Sequence, residues 1–107
     1  MTIENDFILF GSTSTNIDTQ SSYAADPNTA GGRPSGIWPS VKANKTLRQA
    51  TYASKVLADL IVTYTSQPVI DDGTVATFET NLIATINAIA VAMLLILLRQ
   101  VHLRYNQ

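Results

Sequence analysis

The chain contains no cysteine, which removes disulfide staples, thiolate metal sites and cysteine nucleophiles together. Charge is scarce as well. Seven basic and eight acidic side chains make up 14% of the 107 residues and leave a net charge of −1 with the single His102 taken as neutral, whereas about 25% charged is usual in a soluble domain. With no basic excess, nothing favours nucleic acid or an anionic membrane surface as a partner. A sparsely charged, near-neutral chain associates with itself unless its apolar faces are covered. The opening "MTIENDFILFGS" carries acids where a secretory signal carries bases, and its apolar piece is four residues long, so no targeting peptide is expected. The length suits one domain with a modest core.

The two halves differ in character. Over residues 1–40 Ser, Thr, Asn, Gly and Pro dominate, and apolar residues come singly or in pairs. This composition predicts a short strand at "FILF", residues 7–10, followed by a long irregular segment. "DPNTAGGRPSG", residues 26–36, has two prolines and three glycines and offers turn chemistry without helical or alternating periodicity. Such a segment is either disordered or an extended arm laid over a partner. In the second case Phe7, Phe10, Tyr23 and Trp38 are its pocket-filling anchors.

After Pro39 the spacing turns helical. Ser40 is placed to cap a first helix over residues 41–65, in which Leu47, Tyr52, Val56, Leu60, Ile61 and Tyr64 form an apolar stripe. "SQPVIDDGT" interrupts it with a proline and a turn. Asp72 or Thr74 then caps a second helix over residues 75–103. The expected fold is therefore mainly α: an extended docking arm, then two long helices arranged as an αα-hairpin or as a stalk.

"AIAVAMLLILLRQ", Ala88 to Gln100, is the most apolar run. Leu82, Ile86, Ile89, Met93, Ile96, Gln100 and Leu103 follow one another by steps of four and three, a heptad seam. Isoleucine at both seam positions favours three or more strands, and Gln100 supplies a register-fixing polar layer. A homotrimeric helical bundle is the expected state. A second apolar row through Ile83, Ala90, Leu94, Leu97 and Val101 widens the stripe, so the helix needs cover on two sides, from neighbouring copies and from the first helix. The competing reading takes Leu82 to Leu98 as a membrane span of minimal length.

Catalytic chemistry is not visible. His102 has no second histidine for a metal site and reads as a helix-terminal side chain. Asp71 and Asp72 stand in a DDGT turn for conformational reasons. Asp18 and Glu79 suit helix starts. "GGRPSG" lacks the GK[ST] ending and the preceding strand of a phosphate loop. Lys42, Lys45 and Arg48 recur every three residues along one helix side, with Lys55 beyond. They read as a solvated face or as partners for another subunit's carboxylates. No enzyme activity, cofactor or metal is expected.

A series of short stretches in order carries a resemblance: "NDF" at Asn5 to Phe7, Phe10, Asn16, Thr19 and Gln20, "YAAD" from Tyr23, Ser35 and Gly36, Ser40, Asn44 and Lys45, Arg48 and Gln49, and "DDGT" from Asp71. Over roughly residues 4 to 87 the chain resembles the N-terminal, baseplate-attaching region of bacteriophage tail-fibre proteins. The resemblance implies a virion protein at the tail baseplate or fibre, usually a homotrimer. Attachment to a baseplate protein would run through Phe7, Phe10, Tyr23 and Trp38 of the arm and Asn44, Lys45, Arg48 and Gln49 of the first helix. Family members continue into a shaft and a receptor-binding tip, whereas this sequence stops at Gln107. The expectation is thus an adaptor whose C-terminal bundle joins a separate fibre protein. The alternative is a small phage-encoded, holin-like protein with one span.

Overall fold

The computed structural model describes residues 2–107 and is mainly helical. Its elements are α1 (Gln20–Ala25), α2 (Pro27–Gly31), α3 (Ser40–Thr65) and α4 (Val75–Tyr105). The two long helices stand where the apolar spacing puts them. The chain divides into two compact units, one of residues up to Phe7 with Val56–Gln107 and the other of Ile8–Lys55. The boundary lies inside α3 and not at the change of composition near residue 40.

In the Ile8–Lys55 unit the irregular arm is more ordered than its composition suggests. The Thr19 hydroxyl accepts from the Ser22 amide at 3.2 Å and starts α1. Asp26 ends α1 and starts α2, its Oδ1 accepting from the Asn28 amide at 2.9 Å, while Pro27 occupies the first helical turn without a donor to satisfy. Gly32, at φ +88°, ends α2. Residues 26–36 therefore contain one helical turn, correcting the expectation of a wholly irregular segment. Capping residues compensate for the missing apolar periodicity. At the start of α3 the Pro39 carbonyl accepts from the Lys42 and Ala43 amides. Ser40 is already helical, and its hydroxyl accepts from Asn16 Nδ2 at 2.9 Å, so it is not the expected cap.

The other unit is built round the α3–α4 connection. Ala58 and Ile61 of α3 and Val69 of the connector are buried, with Phe7, Val62, Phe78 and Leu82 packed on them. α3 ends where Ser66 takes a left-handed φ of +56° and its amide bonds back to the Val62 carbonyl at 3.1 Å, just before Pro68. Asp72 Oδ1 accepts from the Thr74 amide at 2.9 Å across Gly73, which sits at φ +84°. Thr74 is the N-cap by position but makes no capping bond with its side chain.

The strand expected at residues 7–10 is absent. Among the described residues there is one isolated parallel bridge, Asn5 to Val69, with Asp6 donating to the Val69 carbonyl and Val69 to the Glu4 carbonyl, each at 2.9 Å. "FILF" has no ladder partner. The Phe7 amide donates to Asn5 Oδ1 and the Phe10 amide to Thr51 Oγ1, so side chains satisfy donors that a sheet would have paired. The alternation survives: Ile3, Asn5 and Phe7 are half-buried and Glu4 and Asp6 exposed.

α3 and α4 meet only in the turns next to their connector. Phe78 and Leu82 reach the core, and Thr85 is fully buried with its hydroxyl donating to the Asn81 carbonyl at 2.8 Å. Ala88 is half-buried, and every residue from Ile89 to Gln107 is exposed. The first helix therefore does not supply the second cover expected for α4. The helix also runs past residue 103, ending at Asn106, whose side chain and amide both donate to the His102 carbonyl.

Candidate interaction surfaces

Within Ile8–Lys55 the polar residues of α3 turn toward the arm. Asn44 Nδ2 donates to the Asn16 carbonyl at 3.0 Å, Arg48 Nη1 to Ser14 Oγ at 2.9 Å, and Gln49 Nε2 to Gln20 Oε1 at 3.2 Å. Tyr23 Oη and Thr46 Oγ1 lie 2.9 Å apart. The loop over these bonds needs three left-handed residues in six: Gly11 at +68°, Ser14 at +61° and Asn16 at +54°. Holding Ser14 there costs local strain, and the Arg48 bond to its hydroxyl helps keep it in place. Arg48 Nε is buried with no hydrogen-bond partner.

A chain of charges fastens the same region. Lys42 Nζ lies 2.6 Å from Asp18 Oδ2 and 3.6 Å from Asp26 Oδ2, and Asp26 also pairs with Arg33. The hydrogen bond from Lys42 holds the Asp18 carboxyl below its usual range, and the same contact raises Lys42. Asp26 is lowered first by the Asn28 amide and then by Arg33 and Lys42.

The residues assigned to docking are thus distributed over different environments. Phe7 packs on Phe78, centroids 5.5 Å apart and planes tilted by 40°. Tyr23, Asn44, Arg48 and Gln49 bond to other parts of the same unit, and Lys45 is buried within α3. Phe10 and Trp38 remain exposed. Trp38 borders a shallow concavity of about 220 Å³ with Tyr23, Asn28, Thr29, Gly32, Arg33 and Thr46. Two exposed apolar residues were missed by sequence reasoning, Ile8 and Ile37, the latter 98% exposed. Ile37 stands beside Trp38 between Gly36 and Pro39, a turn-rich context without the periodicity that would have singled it out. No protein-family model, curated protein or solved structure matches this chain.

The second surface is α4. Its seam residues Ile86, Ile89, Met93, Ile96 and Leu103 are exposed, as are Ile83, Leu94, Leu97 and Val101 of the other row and Val91, Leu95 and Leu98 between them. Gln100 is exposed too, while Leu82 at the base is half-buried. By length and composition this helix passes as a membrane span, its most apolar window having a mean hydropathy of 2.4 with 6% of it buried. Contiguous exposed apolar surface of this extent is of the kind found at protein–protein and at membrane interaction sites. No group of three or more metal-ligating side chains occurs among the described residues.

Proposed function

We propose that this chain is a structural virion protein, a tail-fibre anchoring or adaptor subunit that attaches through its N-terminal region and assembles, as a homotrimer, through α4. The observation that carries the assembly step is the exposed heptad seam from Ile86 to Leu103: a helix presenting isoleucine at both seam positions is suited to knobs-into-holes packing with two copies of itself. The attachment step rests on the resemblance of residues 4 to 87 to tail-fibre N-terminal regions. Several residues that carry that resemblance are bonded to one another: Asn16 to Ser40 and Asn44, and Gln20 to Gln49. They act as the fastening of a folded attachment module. Contact with a baseplate protein then falls to the exposed Ile8, Phe10, Ile37 and Trp38.

A single-span, holin-like protein is the second reading, favoured by the hydropathy of α4. Against it stand the base of the helix, where Leu82 packs on the core to which α3 contributes and Thr85 is buried, and the heptad spacing of the seam, which a lone lipid-facing helix does not need. Mass measurement in detergent-free buffer tests the proposal. A discrete trimer supports it, and a stable monomer, or material that stays in solution only with detergent, overturns it.

A further inference from the structure

Lys42, Lys45 and Arg48 follow one another along one side of α3, and the structure separates them. Lys42 is answered within its own unit by Asp18 and Asp26. Lys45 and Arg48 are not: among the described residues neither has a carboxylate within ion-pairing distance. The Arg48 side chain spends one donor, on Ser14, and its Nε is enclosed with no acceptor. Lys45 is 7% exposed. Among the described residues no other enclosed side-chain nitrogen lacks a hydrogen bond, so the unpaired Lys45 ammonium is the end that solvent still reaches, above a stem covered by protein. We infer that Lys45 and Arg48 form a site for a carboxylate carried on an apolar segment of a partner protein.

Charge and neighbours select that occupant. The Ile8–Lys55 unit holds the acids Asp18 and Asp26 against Arg33, Lys42, Lys45, Arg48 and Lys55. Both acids are already bonded to Lys42 or Arg33, which leaves no counter-charge in the unit for Lys45 and Arg48. Side chains three apart on a helix are neighbours, so one carboxylate can take donors from both. What lies beside them is apolar. Thr51 accepts from the Phe10 amide and donates to the Leu47 and Arg48 carbonyls, which brings Phe10 and Leu47, both exposed, within a turn of Arg48. Free phosphate gains nothing from those two residues, whereas a segment with an acid between apolar side chains satisfies the charges and covers both. The lysine stem is already held, so pairing there loses less side-chain freedom than an ordinary surface ion pair. This rests on the attachment reading of the Ile8–Lys55 unit and names the chemistry that the attached partner brings.

The test uses the full chain, labelled with a nitrogen isotope, and three probes: a short capped peptide with a leucine–glutamate–leucine centre, its glutamine counterpart, and inorganic phosphate. Proton–nitrogen spectra follow the Arg48 Nε–H signal and the amides of Ser14 and Lys45. The glutamate peptide is expected to move these signals saturably and to bind about fivefold more tightly than the glutamine peptide, a margin that closes at high salt. Lys45→Met keeps the covered stem and removes the charge, and is expected to bring the glutamate peptide down to the glutamine level with circular dichroism unchanged. Leu47→Ser should weaken both peptides alike. The Arg48 signal is read on the parent chain, so the comparison of peptides stands even if a variant fails to fold. Equal binding of the two peptides overturns the inference and leaves apolar attachment standing. Phosphate that moves the same signals and displaces the glutamate peptide overturns it in favour of a free-anion site. Binding of neither peptide overturns both this inference and attachment through this face.

Discussion

Phe7 and Phe78 lie ring to ring at 5.5 Å, seventy-one residues apart in sequence, and join the N-terminal segment to the first turns of α4. Their pairing, with the bridge between Asn5 and Val69 and the bond from the Asp71 amide to Asp6 Oδ2 at 2.8 Å, ties the start of the chain to the helix connection. Both rings are half-buried, so Phe7→Ala or Phe78→Ala is expected to lower unfolding free energy by about 2 kcal/mol, less than for a fully buried ring. The double variant should lose about 1 kcal/mol less than the sum, the part that belongs to the ring pair. Urea unfolding followed by circular dichroism measures all three. Strict additivity would show that the rings do not interact.

The charge chain round Lys42 gives the Ile8–Lys55 unit a defined pH window. Asp18 and Asp26 are held below the ordinary carboxyl value of 3.8, so their contribution is present above that value and is lost as pH falls through the lowered ones. Lys42 is raised above 10.5, so its share is complete below that value and is lost as pH rises beyond it. Trp38, the only tryptophan, borders the concavity that Arg33 also lines. Its emission is expected to hold steady between about pH 4 and 10 and to shift outside that range. Lys42→Met should abolish the alkaline limb and shrink the acid one, since Asp26 keeps the Asn28 amide and Arg33. An unchanged alkaline limb in that variant would exclude Lys42 as its source.

Gly11 and Gly73 separate two costs of adding a side chain. Both have positive φ, +68° and +84°. A methyl group at Gly73 meets open space, whereas at Gly11 it comes within 2.8 Å of Ile17 Cδ1. Gly73→Ala is expected to cost about 1 kcal/mol from backbone strain alone, and Gly11→Ala about 2 kcal/mol, because Ile17 must also move. Thermal unfolding of the two variants ranks them. The reverse order would mean that the loop over Arg48 yields more readily than the DDGT turn.

The long helices were legible because each repeats apolar residues over many turns, from Leu47 to Tyr64 and from Leu82 to Leu103, and repetition averages out local exceptions. Short elements gave no such average. α2 rests on Asp26 and Pro27 alone, and turn-forming residues read equally well as a loop. The "FILF" strand failed for a different reason: β-propensity says which residues suit a ladder but not whether a partner strand exists, and here Thr51 takes the place of one. The roles of Asn44, Arg48 and Gln49 were hidden because a polar side chain on a helix looks alike whether it faces solvent, a partner or its own arm. Only the positions of Ser14, Asn16 and Gln20 in space decide it.

Ile89 and Ile96 give the seam a graded test. Both are exposed within the single chain, so replacing either by aspartate removes little from its own core, and any large effect must come from assembly. A carboxylate placed in a helix interface has to be desolvated without a partner, which costs several kcal/mol per copy. The two positions differ in their neighbours. No cation lies within a turn of Ile89, whereas Ile96 stands three residues before Arg99, close enough for a surface pair on the same helix to offset part of the penalty. On the proposed trimer, Ile89→Asp is therefore expected to give monomer, Ile96→Asp a mixture of monomer and trimer, and Leu94→Asp, off the seam, no change in mass. Sedimentation equilibrium distinguishes these cases. If Leu94→Asp dissociated the assembly and Ile89→Asp did not, the copies would pack through the other row, and the seam would have to be reassigned.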